Sequence, residues 1–328
     1  MNKKTIFGII VVVITILAFS GIYLVLNPSI TPPPLYSHTP TPTGPSPRNT
    51  TKSPPPNVTC VIGNATNKYQ YVPIKYGAIG TDLWNLEKAK GNTTMKIGEN
   101  GILNVNSSFS NVTSEYNTIL GYPEIAYGHN LQDELFGNSQ AASLVFPMKY
   151  STFSELNFTS QTNYSFKNLT PSNIPIDFSY DLWLEHNPKP GVNPTNSDLE
   201  VMIWMYCQGS QPIGTNMGSF TQTVNLNNHN INATWEVWAG RANPWETVSF
   251  VLKSPLRSIS SNISINISKF INEAGNVAKL NLSKYTIMGI EMGNEFGNEN
   301  IPENISDWTL SYYAFSVSSN KILIVSKT

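Results

Sequence analysis

Charge is what this 328-residue chain has least of: Lys, Arg, Asp and Glu make up 12% of it and leave a formal net charge of −1. A typical globular chain carries about 25% charged residues. With no basic surplus there is no electrostatic footprint for a nucleic acid, which excludes that class of partner. Histidine is nearly as scarce. His38, His129, His186 and His229 show no ligand spacing, and two cysteines, Cys60 and Cys207, fall short of a structural zinc site. No metal and no other cofactor is expected. Helical periodicity is confined to 267–279, where Ile267, Phe270, Ile271, Ala274 and Val277 recur at helical spacing. Polarity comes from Asn, Ser and Thr, which stay wet without ionised carboxylates, so the surface is expected to tolerate acid.

One long apolar run is present, at the start. Lys3 and Lys4 precede 21 uncharged residues from Ile6 to Leu26, enough at roughly 1.5 Å per residue to cross a bilayer core. Ala18-Phe19-Ser20 resembles a small-x-small cleavage site. The apolar run continues past it to Leu26, which favours an uncleaved anchor. Residues 1–26 therefore read as a signal peptide or a membrane anchor. Either exports the rest, secreted or held at the outer cell surface, with the membrane touched only through this segment.

Residues 27–58 form a linker in which Pro32-Pro33-Pro34 and Pro54-Pro55-Pro56 stand among Ser and Thr. Fixed φ angles and little apolar area make an extended stalk. Fourteen Asn-X-Ser/Thr sequons follow or overlap it, among them Asn64, Asn92, Asn168, Asn266, Asn281 and Asn304. That density suits a glycosylated surface. In an exported chain Cys60 and Cys207 suggest one disulfide, with two buried thiols as the alternative.

From 59 to 328 the pattern is all-β, with short apolar or alternating runs punctuated by Gly, Asn, Pro and Ser. Strands are expected at 68–75, 101–105, 121–127, 142–149, 163–167, 178–185, 199–207, 218–224, 232–238, 246–253, 285–295 and 309–325. About a dozen strands and one helix point to a single β-sandwich domain. The strand at 199–207 is central. Val201 to Tyr206 carries no charge and no breaker, and period 2 puts Glu200, Met202 and Trp204 on one face, Val201, Ile203 and Met205 on the other. A carboxylate beside an indole suits a carbohydrate cleft, where a ring stacks on a sugar and the carboxylate reaches the anomeric carbon. Asp181 and Trp183 likewise share a face of 178–185. Glu291 and Glu295 share one of 285–295 but lie about 13 Å apart at ~3.3 Å per residue. They cannot be one catalytic pair; each could pair with Glu200 from a neighbouring strand.

Leu199-Glu200-Val201-Met202-Ile203-Trp204 resembles the nucleophile strand of glycoside hydrolase family 12, the small jelly-roll endoglucanases. Tyr180-Asp181-Leu182-Trp183-Leu184 resembles the strand before it, and Gly293-Asn294-Glu295-Phe296-Gly297 the acid/base segment. Asp82-Leu83-Trp84-Asn85, the run 121–128, Gln211-Pro212-Ile213-Gly214 and the run 235–240 match further segments in order. These seven motifs span roughly 70–320.

The resemblance implies an endo-β-1,4-glucanase that retains configuration. Glu200 would be the nucleophile, Glu295 the general acid/base and Asp181 the support for Glu200. Trp84, Asn85, Met202, Trp183, Trp204 and Glu291 would line the sugar subsites. Glu291 also reads Gly-X-Glu, but the apolar-Glu-X-Gly-X-Glu run puts Glu295 at the catalytic position. The implied partner is a β-1,4-glucan polysaccharide and the implied state a monomer. Xyloglucan or xylan are alternative substrates, and a non-catalytic sugar-binding module is the rival from another class. Trp245 and Trp308 are expected to pack, and the Pro-rich insertion 187–196 to form a stiff loop beside the cleft.

Overall fold

The computed structural model describes residues 59–328 apart from 117–118, 137–144, 154–155, 243, 254–259, 318–319 and 328. The expected signal or anchor segment and the linker lie outside the described residues. Among those described, no helix is long and apolar enough to cross a membrane.

Strands dominate. In chain order they are β1 (Thr59–Gly63), β2 (Tyr71–Pro73), β3 (Ala78–Gly80), β4 (Leu86–Ile97), β5 (Leu103–Ser114), β6 (Glu124–Gly128), β7 (Met148–Lys149), β8 (Phe158–Thr170) and β9 (Ile176–Glu185). Then come β10 (Leu199–Gln208), β11 (Thr215–Leu226), β12 (His229–Arg241), β13 (Glu246–Leu252), β14 (Ser260–Asn266), β15 (Thr286–Ile287), β16 (Gly289–Gly293), β17 (Glu303–Val317) and β18 (Asn320–Ser326). Helix α1 (Tyr150–Phe153) is one turn; α2 (Ile267–Ala278) is the expected helix, one residue shorter than its periodicity suggests. Asn266 caps α2 by accepting the Lys269 amide, and Lys279 ends it in the left-handed region at φ 57°.

Hydrogen-bonded neighbours run β2–β3–β6–β16–β9–β10–β13–β12–β11, continue through a short β11–β14 pairing, and return as β14–β8–β17–β5–β4–β1. The second half covers the first. Tyr180 of β9 meets Ser160 Oγ of β8 at 2.9 Å, the Tyr164 hydroxyl donates to the Met205 carbonyl, and the Phe178 and Trp308 rings lie 5.1 Å apart edge to face. Between the layers sits one large apolar core. Each large side chain fully buried there contributes on the order of 1.5–3 kcal/mol.

Alternation explains the central strands. Ile176, Phe178, Tyr180, Leu182 and Leu184 of β9 enter the core, as do Leu199, Val201, Ile203 and Met205 of β10. The alternate positions, odd-numbered from Asp177 to Glu185 on β9 and even-numbered from Glu200 to Trp204 on β10, occupy the opposite face. A register shift between Trp204 and Tyr206 then keeps Tyr206 in the core and turns Cys207 outward beside Met202, Trp204 and Val251.

Three expectations change. Cys60 and Cys207 form no disulfide: Cys60 is exposed on β1, and Cys207 is buried and donates to the Ser210 carbonyl. Cys207 faces away from the layer that contains β1, so the bridge has no path. Strand 285–295 divides into β15 and β16 and stops at Gly293, so Glu295 is not on it. Finally, β4 was not expected, because its exposed positions carry Glu87, Lys88 and Lys90 and dilute the alternation.

Candidate active site

Register assembles a row of carboxyls on the face turned from the core. Met202 pairs with Asp181 across β10–β9, and Asp181 with Glu291 across β9–β16. One step along, Ser179, Gly293 and Glu124 are successive neighbours. Glu200 pairs with Trp183 on one side and Thr247 of the parallel strand β13 on the other. Glu295 lies just beyond β16, where its carbonyl accepts the Asp177 amide at 3.0 Å and its own amide donates to Asp177 Oδ1 at 3.5 Å.

Each carboxyl has an acidic companion. Glu200 Oε2 accepts the Thr247 hydroxyl at 2.7 Å and the Trp245 indole N–H at 3.0 Å. Burial raises its pKa, while the bonds from Thr247, Trp245 and Asp181 hold that rise back. Asp181 is pushed well above the usual carboxylate range by burial and then by the charge of Glu200, to which it is hydrogen-bonded. Glu295 is also pushed well above that range. Burial is the largest cause, followed by the charge and hydrogen bond of Asp177 and then by the charges of Glu200 and Asp181. Asp177 itself, fully buried and accepting Ser179 Oγ at 2.8 Å, is raised to about 6 by burial.

A third pair lies behind these. Glu124 accepts the Tyr71 hydroxyl at 2.5 Å and is hydrogen-bonded to Glu291. Burial raises Glu124 to about 8 and pushes Glu291 well above its ordinary value. Asp82, held at a positive φ of 25°, is raised by burial to about 7 and its charge bears on both. Among the described residues no group of three or more metal-ligating side chains is placed to hold an ion.

The sequence of residues 75–318 matches the description "Glycosyl hydrolase family 12", close to three-quarters of the chain. The chain belongs to glycosyl hydrolase family 12. Among similar solved structures are a family 12 xyloglucanase from Bacillus licheniformis in complex with ligand, 18% identical, TM-score 0.59, covering 79% of this chain and 99% of that one. Another is endoglucanase 3 of Trichoderma harzianum, 17% identical, TM-score 0.58, covering 81% and 100%. A metagenome-derived family 12 endoglucanase is 18% identical, TM-score 0.56, covering 82% and 98%. At such identities the likeness shows the fold, an all-β jelly roll. No curated protein matches.

Within this family 12 domain the structure brings Glu200, Asp181, Met202, Trp204, Trp183 and Glu291 to one face, with Glu295 at its margin. Trp84 is half-buried with its ring 6.4 Å from that of Tyr116. Asn85 is fully buried, its amide donates to the Tyr116 and Ile119 carbonyls and its Oδ1 accepts the Tyr116 amide, so it braces the chain behind Trp84. Trp308 packs as expected. Trp245 does more than pack: besides its bond to Glu200, its ring meets Trp183 edge to face at 5.1 Å. The insertion 187–196 is tied down at both ends. Asp198 accepts the His186 and Thr195 amides, and Gln132 Nε2 donates to Asn193 Oδ1 at 2.6 Å. Asp177, Glu124, Tyr71 and Thr247 were not foreseen. Asp177 had a signal, since it shares the odd positions of β9 with Asp181.

Proposed function

We propose that this family 12 chain is an endo-β-1,4-glucanase that retains anomeric configuration, with Glu200 as nucleophile and Glu295 as general acid/base. The observation that carries the assignment is the contrast in what the two carboxyls meet. Glu200 receives donors from Thr247, Trp245 and Asp181, which favour its ionised form. Glu295 faces Asp177, which favours its protonated form. Two carboxyls whose surroundings push their protonation apart are what acid and nucleophile require.

In the first step the Glu295 O–H bond breaks as its proton passes to the glycosidic oxygen. The C1–O bond to the leaving sugar breaks, and a Glu200 oxygen forms an ester to C1. The charge of Glu200 is thereby consumed. Glu295, now a carboxylate, takes a proton from water while the water oxygen bonds C1 and displaces Glu200. Two inversions return the β configuration. Asp181 donates to Glu200 in its ionised form and keeps the unbonded oxygen oriented. Met202, Trp183, Trp204, Trp84 and Glu291 supply the sugar contacts in this reading.

Cellulose or an unbranched β-glucan is the proposed substrate, and a xyloglucan-active variant is the second reading, because a xyloglucanase and endoglucanases match the fold about equally. The apolar run at 6–26 supports a working place outside the cell. Hydrolysis of a soluble β-glucan, xyloglucan and xylan, followed by proton NMR of the first products, tests both points. Release of the β-anomer first, fastest from β-glucan, is expected. An α-anomer first would refute the double displacement, and a faster xyloglucan would move the substrate to the second reading.

A further inference from the structure

The sequons are a feature that catalysis leaves unused, and the fold treats the amides of six of them in two ways. At Asn64 the Oδ1 accepts the Thr66 hydroxyl at 2.8 Å and the Thr66 amide at 2.9 Å. Asn281 accepts the Ser283 hydroxyl at 2.8 Å and its amide at 3.2 Å. Asn92 accepts Thr94 Oγ1 at 3.1 Å, and Asn168 accepts Thr170 Oγ1 at 3.2 Å. In all four the sequon's own hydroxyl engages the amide oxygen and leaves Nδ2 uncommitted. Asn92, Asn168 and Asn281 are exposed and Asn64 is half-buried.

Asn266 and Asn304 are different. Asn266 caps α2 through Oδ1 and donates Nδ2 to Asn157 Oδ1 at 2.7 Å. Asn304 is 0% exposed; its Oδ1 accepts the Asn298 amide and its Nδ2 donates to the Ile301 carbonyl, both at 2.9 Å. A sugar on either nitrogen would replace one of its two hydrogens and crowd the acceptor the other one serves, and at Asn304 it would also need room that a fully buried side chain lacks.

We propose that Asn64, Asn92, Asn168 and Asn281 carry N-linked oligosaccharides and that Asn266 and Asn304 do not. The donor class is an oligosaccharide esterified to a lipid diphosphate. Nδ2 bonds the sugar C1, the C1–O bond to the diphosphate breaks, the lipid diphosphate leaves, and the amide gives up one proton. Hydrogen bonds to Oδ1 assist by stabilising the charge that builds on oxygen as that proton departs. The placement is compatible with work on a polymer. Asn92 lies on β4 and Asn168 on β8 of the covering layer, Asn64 follows β1, and Asn281 follows α2. None lies on β3, β6, β16, β9, β10 or β13, which carry the carboxyl face. This inference stands apart from the catalytic assignment.

Glycopeptide mass spectrometry on active full-length protein purified from the cells that naturally make it tests the pattern. Expected are sugar-bearing peptides at the four sites and bare peptides at Asn266 and Asn304. Bare peptides at the four, or a sugar at Asn304 in folded protein, would overturn it. As a second arm, Asn92→Gln and Asn168→Gln should each remove one glycan's mass and leave kcat within about twofold. An unchanged mass would refute that site.

Discussion

Glu200 and Glu295 are the same side chain in opposite company. Thr247 and Trp245 aim N–H and O–H bonds at Glu200, whereas Glu295 meets the buried carboxyl of Asp177. Asp177 should therefore be a positioning residue for Glu295. Its negative charge disfavours a second charge beside it and so raises the pH at which Glu295 loses its proton. Asp177→Asn keeps the size and removes the charge. The alkaline limb of the kcat/KM–pH profile should move to lower pH, with KM little changed. A profile whose alkaline limb stays in place, measured across pH 3–9, would leave Asp177 a packing residue only. Glu200→Gln makes the harsher change at nearly constant shape: activity should fall at least a thousandfold, a loss of about 4 kcal/mol at ~1.4 kcal/mol per decade. A variant retaining a tenth of the rate would exclude Glu200 as nucleophile.

At the scale of elements, the site depends on β6, β16 and β9 lying close. A Cβ on Gly293 would sit 2.4 Å from the Pro123 carbonyl oxygen and 3.0 Å from Glu124 Cα. Gly293→Ala must therefore push β6 from β16 at the Glu124–Glu291 pair. The expected result is destabilisation of about 1–3 kcal/mol with a matching loss of turnover. A variant with wild-type melting temperature and rate would show that the spacing is not critical. The same scale separates what could be read in advance. Glu200, Met202 and Trp204 were legible because period 2 in one strand is enough to put them on a face, and Asp181 for the same reason on β9. The helix at 267–278 was legible from its spacing. Trp245, Thr247 and Glu124 were not, because their roles come from pairings between distant strands, such as Glu200 with Thr247, 47 positions on, and Glu291 with Ala126, 165 positions back and two residues from Glu124. The burial of Asn85 was not legible either, because a motif gives position, whereas burial comes from the chain folded over it. The disulfide failed for a similar reason: two cysteines in an exported chain carry no information about which way each strand faces.

At the scale of the whole molecule, none of the buried carboxyls in the row has an ion-pair partner among the described residues. The ion pairs among the described residues join Lys68 to Glu115, Lys88 to Glu87, His129 to Asp133, Arg241 to Glu246 and Lys253 to Glu236, none of them in the row. In the folded state Asp177 is raised to about 6, Asp82 to about 7 and Glu124 to about 8, with Asp181, Glu291 and Glu295 also raised. Glu185, at the far end of β9, is raised to about 8 by burial. For an acid whose folded pKa exceeds its unfolded value, the folded state binds more protons between the two. Stability from these groups is full below the unfolded values near 4 and is lost as pH rises through 6–8. The melting temperature should accordingly fall from pH 4 to pH 8. A melting temperature that climbs over that range by calorimetry would contradict the buried, uncompensated row.

The central claim is that Glu295, and not Glu291, gives and takes the proton. Removing an acid catalyst matters when the leaving group is a sugar and hardly at all when it is an aryl group that departs without a proton. The decisive measurement is azide rescue of Glu295→Ala and Glu291→Ala on an activated aryl cellobioside, beside their rates on β-glucan. Glu295→Ala should lose β-glucan hydrolysis, still form the glycosyl-enzyme from the aryl substrate, and recover turnover as a β-glycosyl azide when azide is added. Glu291→Ala should weaken both substrates evenly and gain nothing from azide. Rescue of Glu291→Ala with none for Glu295→Ala would contradict the account.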